Sequence, residues 1–278
     1  MAANLSELAA LVRAHDWARY IAIQFAPQVK RDALITLFAF DAEIDRVIHR
    51  ASDPLPGEIR VQWWREVLSG ERADEARGHP LATALLDVIR RHSLPLAAFD
   101  RYLQGKTFAF YHDAFPDTVT FEAWCGDTAS SLLQMACLVL DSEAAPAAAD
   151  ASGHGGIAVA VGRILAAMPA TRRRGQCYMP QDLLAACGLS REAYVEGSDT
   201  AAMASAAVAL AALGLSHHDR FKVAARHLPT SLKPALLPVY PARFVLERAA
   251  ADPADVFTAP IAISSLRQFM SIARAALI

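Results

Sequence analysis

The chain has 278 residues, of which 54% are hydrophobic and 20% charged, with 27 basic and 29 acidic residues for a formal net charge of −2. So apolar and nearly neutral a chain is not a disordered one, and it has no bulk basic field for nucleic acid. Thirteen glycines and 15 prolines are too few for a collagen-like or low-complexity chain, and the length can bury a large core.

The dominant period is helical. Residues 1–16 lack a basic segment ahead of an unbroken apolar run, so no signal peptide is expected. Over 27–50, Ala33, Leu34, Leu37, Phe38, Phe40, Ile44, Val47 and Ile48 recur at three- and four-residue steps, the pattern of an amphipathic helix. Pro27 suits its first turn, and the Pro- and Gly-containing stretch 52–57 predicts a stop. Further helices are predicted at 58–68, 80–92, 95–112, 120–140, 154–167, 180–187, 190–196, 199–227, 231–250 and 260–277. The Ala/Pro/Asp-rich stretch 142–152 reads as a surface loop and 169–180 as a second irregular stretch. Neither works as a flexible linker, and no β alternation or fixed repeat is present. The expectation is one all-α domain over 1–278. No run reaches about 18 uninterrupted apolar residues, so no transmembrane helix is expected. Cys125, Cys137, Cys177 and Cys187 form no CxxC element and read as small core residues in a reducing cytoplasm.

Three groups of residues, in order, carry a resemblance. The first is YIAIQFAP at 20–27 with Lys30, Arg31 and LFAF at 37–40. The second is QWWR at 62–65 with HPL at 79–81 and RRHSLP at 90–95. The third is RRGQCYMP at 173–180. Together they resemble the squalene/phytoene synthase family, isoprenoid synthases that join two prenyl diphosphates head to head. The resemblance implies an all-α, single-domain helical bundle with a central apolar cavity. It also implies two Asp-rich motifs on facing helices. Mg²⁺ takes oxygen ligands, so carboxylates four residues apart on one helix face can hold it against a diphosphate.

The chain departs from that pattern where the diphosphate is handled. The first motif, D-E-x-x-D in the family, falls on Asp45, Arg46, Val47, Ile48 and His49; Asp41 and Asp45 share a face and form a displaced pair. The second, D-x-x-E-D, falls on Ala167, Met168, Pro169, Ala170 and Thr171, with no carboxylate. The family's Ser-x-Ser falls on Asp16, Trp17 and Ala18, and its YRVAG arginine near Asp127. A divergent branch of the family lacks these aspartates and serves in the assembly of respiratory complex I. FDAE at 40–43, the QWWR segment, SSLL at 130–133, HGGIA at 154–158, Arg163 and 172–180 resemble that branch.

The resemblance therefore implies an assembly or scaffolding factor for NADH dehydrogenase that holds an isoprenoid or lipid ligand. Respiratory-complex subunits are its partners, nucleic acid is not, and membrane contact is peripheral. The location is cytoplasmic, up to the surface of the inner membrane. No cofactor is expected; Mg²⁺ enters only under the alternative, an active prenyltransferase making squalene or phytoene precursors. Cavity- or ligand-facing candidates are Tyr20, Phe40, Asp41, Asp45, His49, Trp64, Arg65, Arg163, Arg173, Arg174 and Tyr178, with Asp41 and Asp45 as a metal remnant.

Each candidate has a plainer reading. Asp41, Glu43 and Asp45 make a polar helix stripe with Arg46 or Arg50 as partners. Trp63 and Trp64 are ordinary core, and Arg65 pairs with an acid on a neighbouring helix. The arginine run 172–174 is either a solvated loop or a phosphate or lipid-headgroup site. The glycines at 155 and 156 permit close helix packing. His217, His218 and His227 lack a common metal-facing side.

Overall fold

In the computed structural model, which describes residues 4–50, 53–111 and 113–277, every described regular element is helical. The first half contains α1 (Leu5–His15), α2 (Trp17–Gln24), α3 (Gln28–Arg50), α4 (Pro54–Ser69), α5 (Ala73–Gly78), α6 (Pro80–His92) and α7 (Leu96–Thr107). The second contains α8 (Thr118–Cys125), α9 (Ser131–Leu140), α10 (Ala149–Arg173), α11 (Gln181–Ala186), α12 (Arg191–Glu196), α13 (Thr200–Ala225), α14 (Lys233–Leu236), α15 (Ala242–Ala251) and α16 (Ser265–Leu277).

Side-chain caps fix several starts. Asp16 Oδ1 accepts from the Arg19 N–H at 3.0 Å and opens α2. Asp117 does the same for α8, Ser190 for α12 and Asp199 for α13. Each satisfies an N–H that the first turn leaves without a partner.

The buried face of α3 packs among α4, α6, α7 and α9 through Leu34, Leu37, Phe40 and Ile44. A second cluster forms where α10 lies along α13 and α15, through Val161, Leu165, Leu210 and Leu246. The cavity lies between α3 and α10, so these two helices decide what faces what.

Four expected boundaries shift. Only the start of the stretch 142–152 is a surface turn, over 142–144: from Ala145 a 3₁₀ turn, Ala145–Ala148, runs straight into α10. Ala145, Ala148, Ala151 and Ser152 are buried there, because small side chains let the turn sink against α9. The helix expected to end at 167 continues through Pro169 to Arg173. Packing against α13 outweighs the lost backbone hydrogen bond, and Pro169 is itself buried. The 120–140 helix is broken by a π turn, Gly126–Ser130. The 231–250 helix is cut into α14, two 3₁₀ turns and α15, with prolines at 234, 238 and 241 supplying the breaks.

Close packing at one crossing requires glycine. A Cβ on Gly156 of α10 would stand 2.4 Å from the Ser130 backbone nitrogen and 2.5 Å from its Cα. That contact seats α10 against the π turn, which places Thr128 and Ala129 on the cavity wall.

Two helices, Ala145–Arg173 and Thr200–Ala225, are long and apolar enough by composition to cross a membrane. Here they pack along each other, and Thr200–Ala225 keeps an exposed face with Val208 and Val223.

Candidate functional site

The cavity has a volume of about 540 Å³. Apolar walls come from Ile48, Phe110, Trp124, Leu132 and Ile164. Trp124 is oriented by its indole N–H, which donates to the Gly105 carbonyl at 2.8 Å, and its ring lies 6.0 Å from that of Tyr178.

One end is ionic. Asp41 and Asp45 lie one turn apart on α3 and both face the cavity. Lys106, from the last turn of α7, places Nζ 3.3 Å from Asp41 Oδ1 and 2.6 Å from Asp45 Oδ1. The Tyr102 hydroxyl donates to Asp41 Oδ1 at 2.5 Å. Arg19 of α2 pairs with Asp41 Oδ2, and His15 Nε2 lies 3.8 Å from that atom and 3.1 Å from Asp45 Oδ2. Across the cavity, Arg163 of α10 pairs with Asp16 and stands 3.9 Å from Asp41. Three carboxylates (Asp16, Asp41, Asp45) thus meet three permanent cations (Arg19, Lys106, Arg163).

Burial alone would push the Asp41 carboxyl up, but the charges of Lys106, Arg19 and Arg163 hold it well below the usual range. Asp45 follows the same balance: burial and Asp41 raise it, Lys106 and His15 lower it, and it settles at about 2. Lys106 responds in reverse, with burial pulling it down and the two aspartates carrying it above its ordinary value. All these groups are therefore ionised at neutral pH. Buried charges persist only when paired and hydrogen-bonded in this way.

The fit to Mg²⁺ is poor. One atom each of His15, Asp41 and Asp45 lies within 4.8 Å of the others. Mg²⁺ needs a near-octahedral set of oxygens, and histidine nitrogen is not its preferred ligand. Both oxygens of Asp41 already accept from cations or a phenol, and an ammonium occupies the approach to the pair. The facing wall offers Arg163, Ala167 and Thr171, one turn apart each, and no carboxylate.

Of the sequence candidates, Asp41, Asp45, Arg163, Arg174 and Tyr178 line the cavity. Tyr20 does not: its ring stacks on Trp17 at 5.7 Å near the surface. Phe40 and Trp64 are buried in the core, with ring centroids 5.1 Å apart. Phe40 is at a position of α3 turned toward α4 and α7, away from the cavity. Arg65 is on the outer surface, its Nε 2.7 Å from Asp100 Oδ1. Arg173 faces solvent, whereas its neighbours diverge: Arg172 donates to the Val195 carbonyl at 3.3 Å, and Arg174 lines the cavity beside Gln176. Successive helical residues point about 100° apart, so the run does not act as one patch. The side chain of His49 lies outside the described residues. Asp127 is half-buried and pairs with Arg101 at 3.4 Å. His217 bonds His154 at 3.0 Å and Glu122 at 3.3 Å, while His218 turns toward Phe221 and Tyr240.

His15, Arg19, Tyr102 and Lys106 join the site without being among the candidates that the motifs point to. A signal for two of them exists. Lys106 continues the buried series Phe99, Tyr102, Leu103 at helical spacing, and Arg19 lies with buried Ala18, Ala22 and Ile23. A charge on an apolar face demands a buried partner.

The family model described as squalene/phytoene synthase matches residues 12–267. Among curated proteins, the chain is 23% identical over 227 residues to the bovine (Bos taurus) NADH dehydrogenase (ubiquinone) complex I, assembly factor 6, covering 82% of this chain and 68% of that one. The rat (Rattus norvegicus) protein of the same name is 26% identical over 185 residues, covering 66% of this chain. This chain thus spans 55% of the length of the rat relative. Among solved structures, a dehydrosqualene synthase in complex with ligand superposes with a TM-score of 0.79 at 16% identity, covering 98% of this chain and 94% of that one. Squalene synthase HpnC from Alicyclobacillus acidocaldarius gives 0.71 at 16% identity, covering 92% and 95%. These likenesses establish the isoprenoid-synthase fold.

Proposed function

This chain belongs to the squalene/phytoene synthase family, and we propose that within it the chain is an assembly or scaffolding factor for respiratory complex I rather than a prenyltransferase. The observation that carries this reading is the pairing of Asp41 and Asp45 with Lys106, Arg19 and His15. In a site that ionises a diphosphate, the carboxylates must be free to hold metal ions against it. Here the chain's own cations neutralise them, and the opposite wall has Ala167 and Thr171 where acids would be needed. A diphosphate entering would meet charge already paired, and desolvating it without counter-ions is costly. The similarity to complex I assembly factor 6 supports the same role.

In this reading the cavity is retained for binding. Its apolar walls suit an isoprenoid or other lipid chain, and Arg174, Gln176 and Tyr178 offer polar atoms for a head group. The partners are subunits of the respiratory complex, met in the aqueous compartment at the inner membrane. A prenyltransferase is the second reading, favoured by the i,i+4 carboxylates on the cavity wall.

The deciding experiment has two arms. Purified protein is incubated with farnesyl or geranylgeranyl diphosphate and Mg²⁺, and the organic phase is assayed for hydrocarbon; none is expected. A deletion strain is assayed for isoprenoids and NADH dehydrogenase activity; normal isoprenoids with lowered activity are expected. Hydrocarbon formation that Asp45→Ala abolishes overturns the proposal.

A further inference from the structure

We propose that the outward face of α16, with the α1–α2 corner beside it, docks on an anionic lipid bilayer. The inference does not rest on the assembly role. It starts from a helix with two apolar faces. The inner one is accounted for: Ile272 is fully buried against Ala18, Ala22 and Leu237. The outer one has no partner among the described residues. Leu266, Met270, Ala273 and Leu277 recur at steps of four, three and four, so they form one stripe along the helix. Leu266 is 71% exposed, Met270 59% and Leu277 88%. Three large apolar side chains in one line are costly in water and call for a cover.

The charges beside the stripe identify the cover. Arg267 and Arg274 stand seven residues apart on its flank, and residues 256–277 contain no Asp or Glu. The Arg267 guanidinium lies over the Phe244 ring at 4.2 Å, which holds it at the helix edge. The neighbouring corner has the same character. The Trp17 indole N–H reaches the Ser265 carbonyl at 3.4 Å, at the start of α16. The exposed Arg13 places its guanidinium 5.3 Å from the Trp17 ring and 5.8 Å from the Tyr20 ring. Apolar side chains flanked by arginines, with Trp and Tyr alongside, match the boundary between acyl chains and anionic head groups.

A second copy of the chain fits less well. Stripe-to-stripe packing would bring four arginines together with no carboxylate on either helix to offset them. A 13-residue helix is about 20 Å long, enough to lie in the plane of a membrane and too short to cross one.

The test is flotation of the full chain with vesicles of phosphatidylcholine alone and with added phosphatidylglycerol. Binding to the anionic vesicles is expected, weak binding to neutral ones, and weaker binding as salt screens the arginines. Leu266→Asp combined with Met270→Asp is expected to lower partition at least tenfold (roughly), with an unchanged circular dichroism spectrum because both side chains are exposed. Arg274→Glu is expected to lower it several-fold on anionic vesicles only. The proposal is overturned if the chain does not float with anionic vesicles, or if the double variant floats as well as the parent. A dimer in sedimentation that the double variant dissociates, without vesicle binding, would assign the stripe to a second copy instead.

Discussion

Lys106 Nζ stands 2.6 Å from Asp45 Oδ1, across 61 residues of sequence, and the same ammonium is 3.3 Å from Asp41. A cation supplied by the chain therefore sits between the two carboxylates that lie one turn apart on α3. The integrity of this acidic end of the cavity is therefore expected to show in stability.

Lys106→Met removes the cation and leaves the buried Asp41 and half-buried Asp45 carboxylates facing each other. A cost of about 3–5 kcal/mol is expected, the usual penalty for stranding one side of a buried pair. Urea denaturation at pH 7 measures it. Adding Asp45→Asn recovers part of the loss, because Asp41 keeps Arg19; no recovery in the double variant would mean that Lys106 acts through packing alone.

The pH dependence follows from the signs. Asp16, Asp41 and Asp45 all have folded pKa values below their unfolded ones, with Asp45 at about 2. A group lowered on folding contributes stability that is complete above its unfolded pKa, about 3.9 for Asp, and is lost as pH falls through the folded value. The urea midpoint is expected to hold near neutral pH and to fall steeply between about pH 5 and 2. Asp45→Asn flattens that fall, and an unchanged slope would remove Asp45 from the cluster's energetics.

Two glycines of α10 are expected to answer alanine with opposite signs. A Cβ at Gly156 collides with the Ser130 backbone, so Gly156→Ala costs about 1–3 kcal/mol through overpacking. A Cβ at Gly153 meets nothing within 4 Å, so Gly153→Ala gains about 0.5–1 kcal/mol from helix propensity. Thermal melts of the two variants decide it.

Filling the cavity separates binding from folding. Ala167 lies on the wall and is exposed to it, so Ala167→Trp can occupy the space without displacing the core. Native mass spectrometry is expected to show less retained lipid in the variant, with stability changed by about 1 kcal/mol or less, as for a substitution outside the packed core. Equal lipid retention in both forms would place the lipid elsewhere.

The helices were legible because burial imposes a three- and four-residue rhythm, clear over 27–50 and 80–92. Residues 145–152 and Pro169 are not legible as helix, because alanine and proline carry no apolar rhythm of their own. Whether they lie in a helix depends on neighbours that accept them, here α9 and α13. Asp41 and Asp45 could be placed on one face by counting, since i and i+4 are adjacent on any helix. Tyr20 and Phe40 could not be assigned to cavity or core in that way, because spacing says which residues share a face and not which neighbour that face meets.

Residue order and identity alone specify the helical class, the kinship of the motifs and the lack of acids at 167–171. The convergence of Lys106, Arg19 and His15 on Asp41 and Asp45, and the meeting of Arg163 with Asp16 from 147 residues away, exist only in the folded chain. Coulomb attraction is strong only across a few ångströms of poorly screened space. Such proximity is created by how the helices pack.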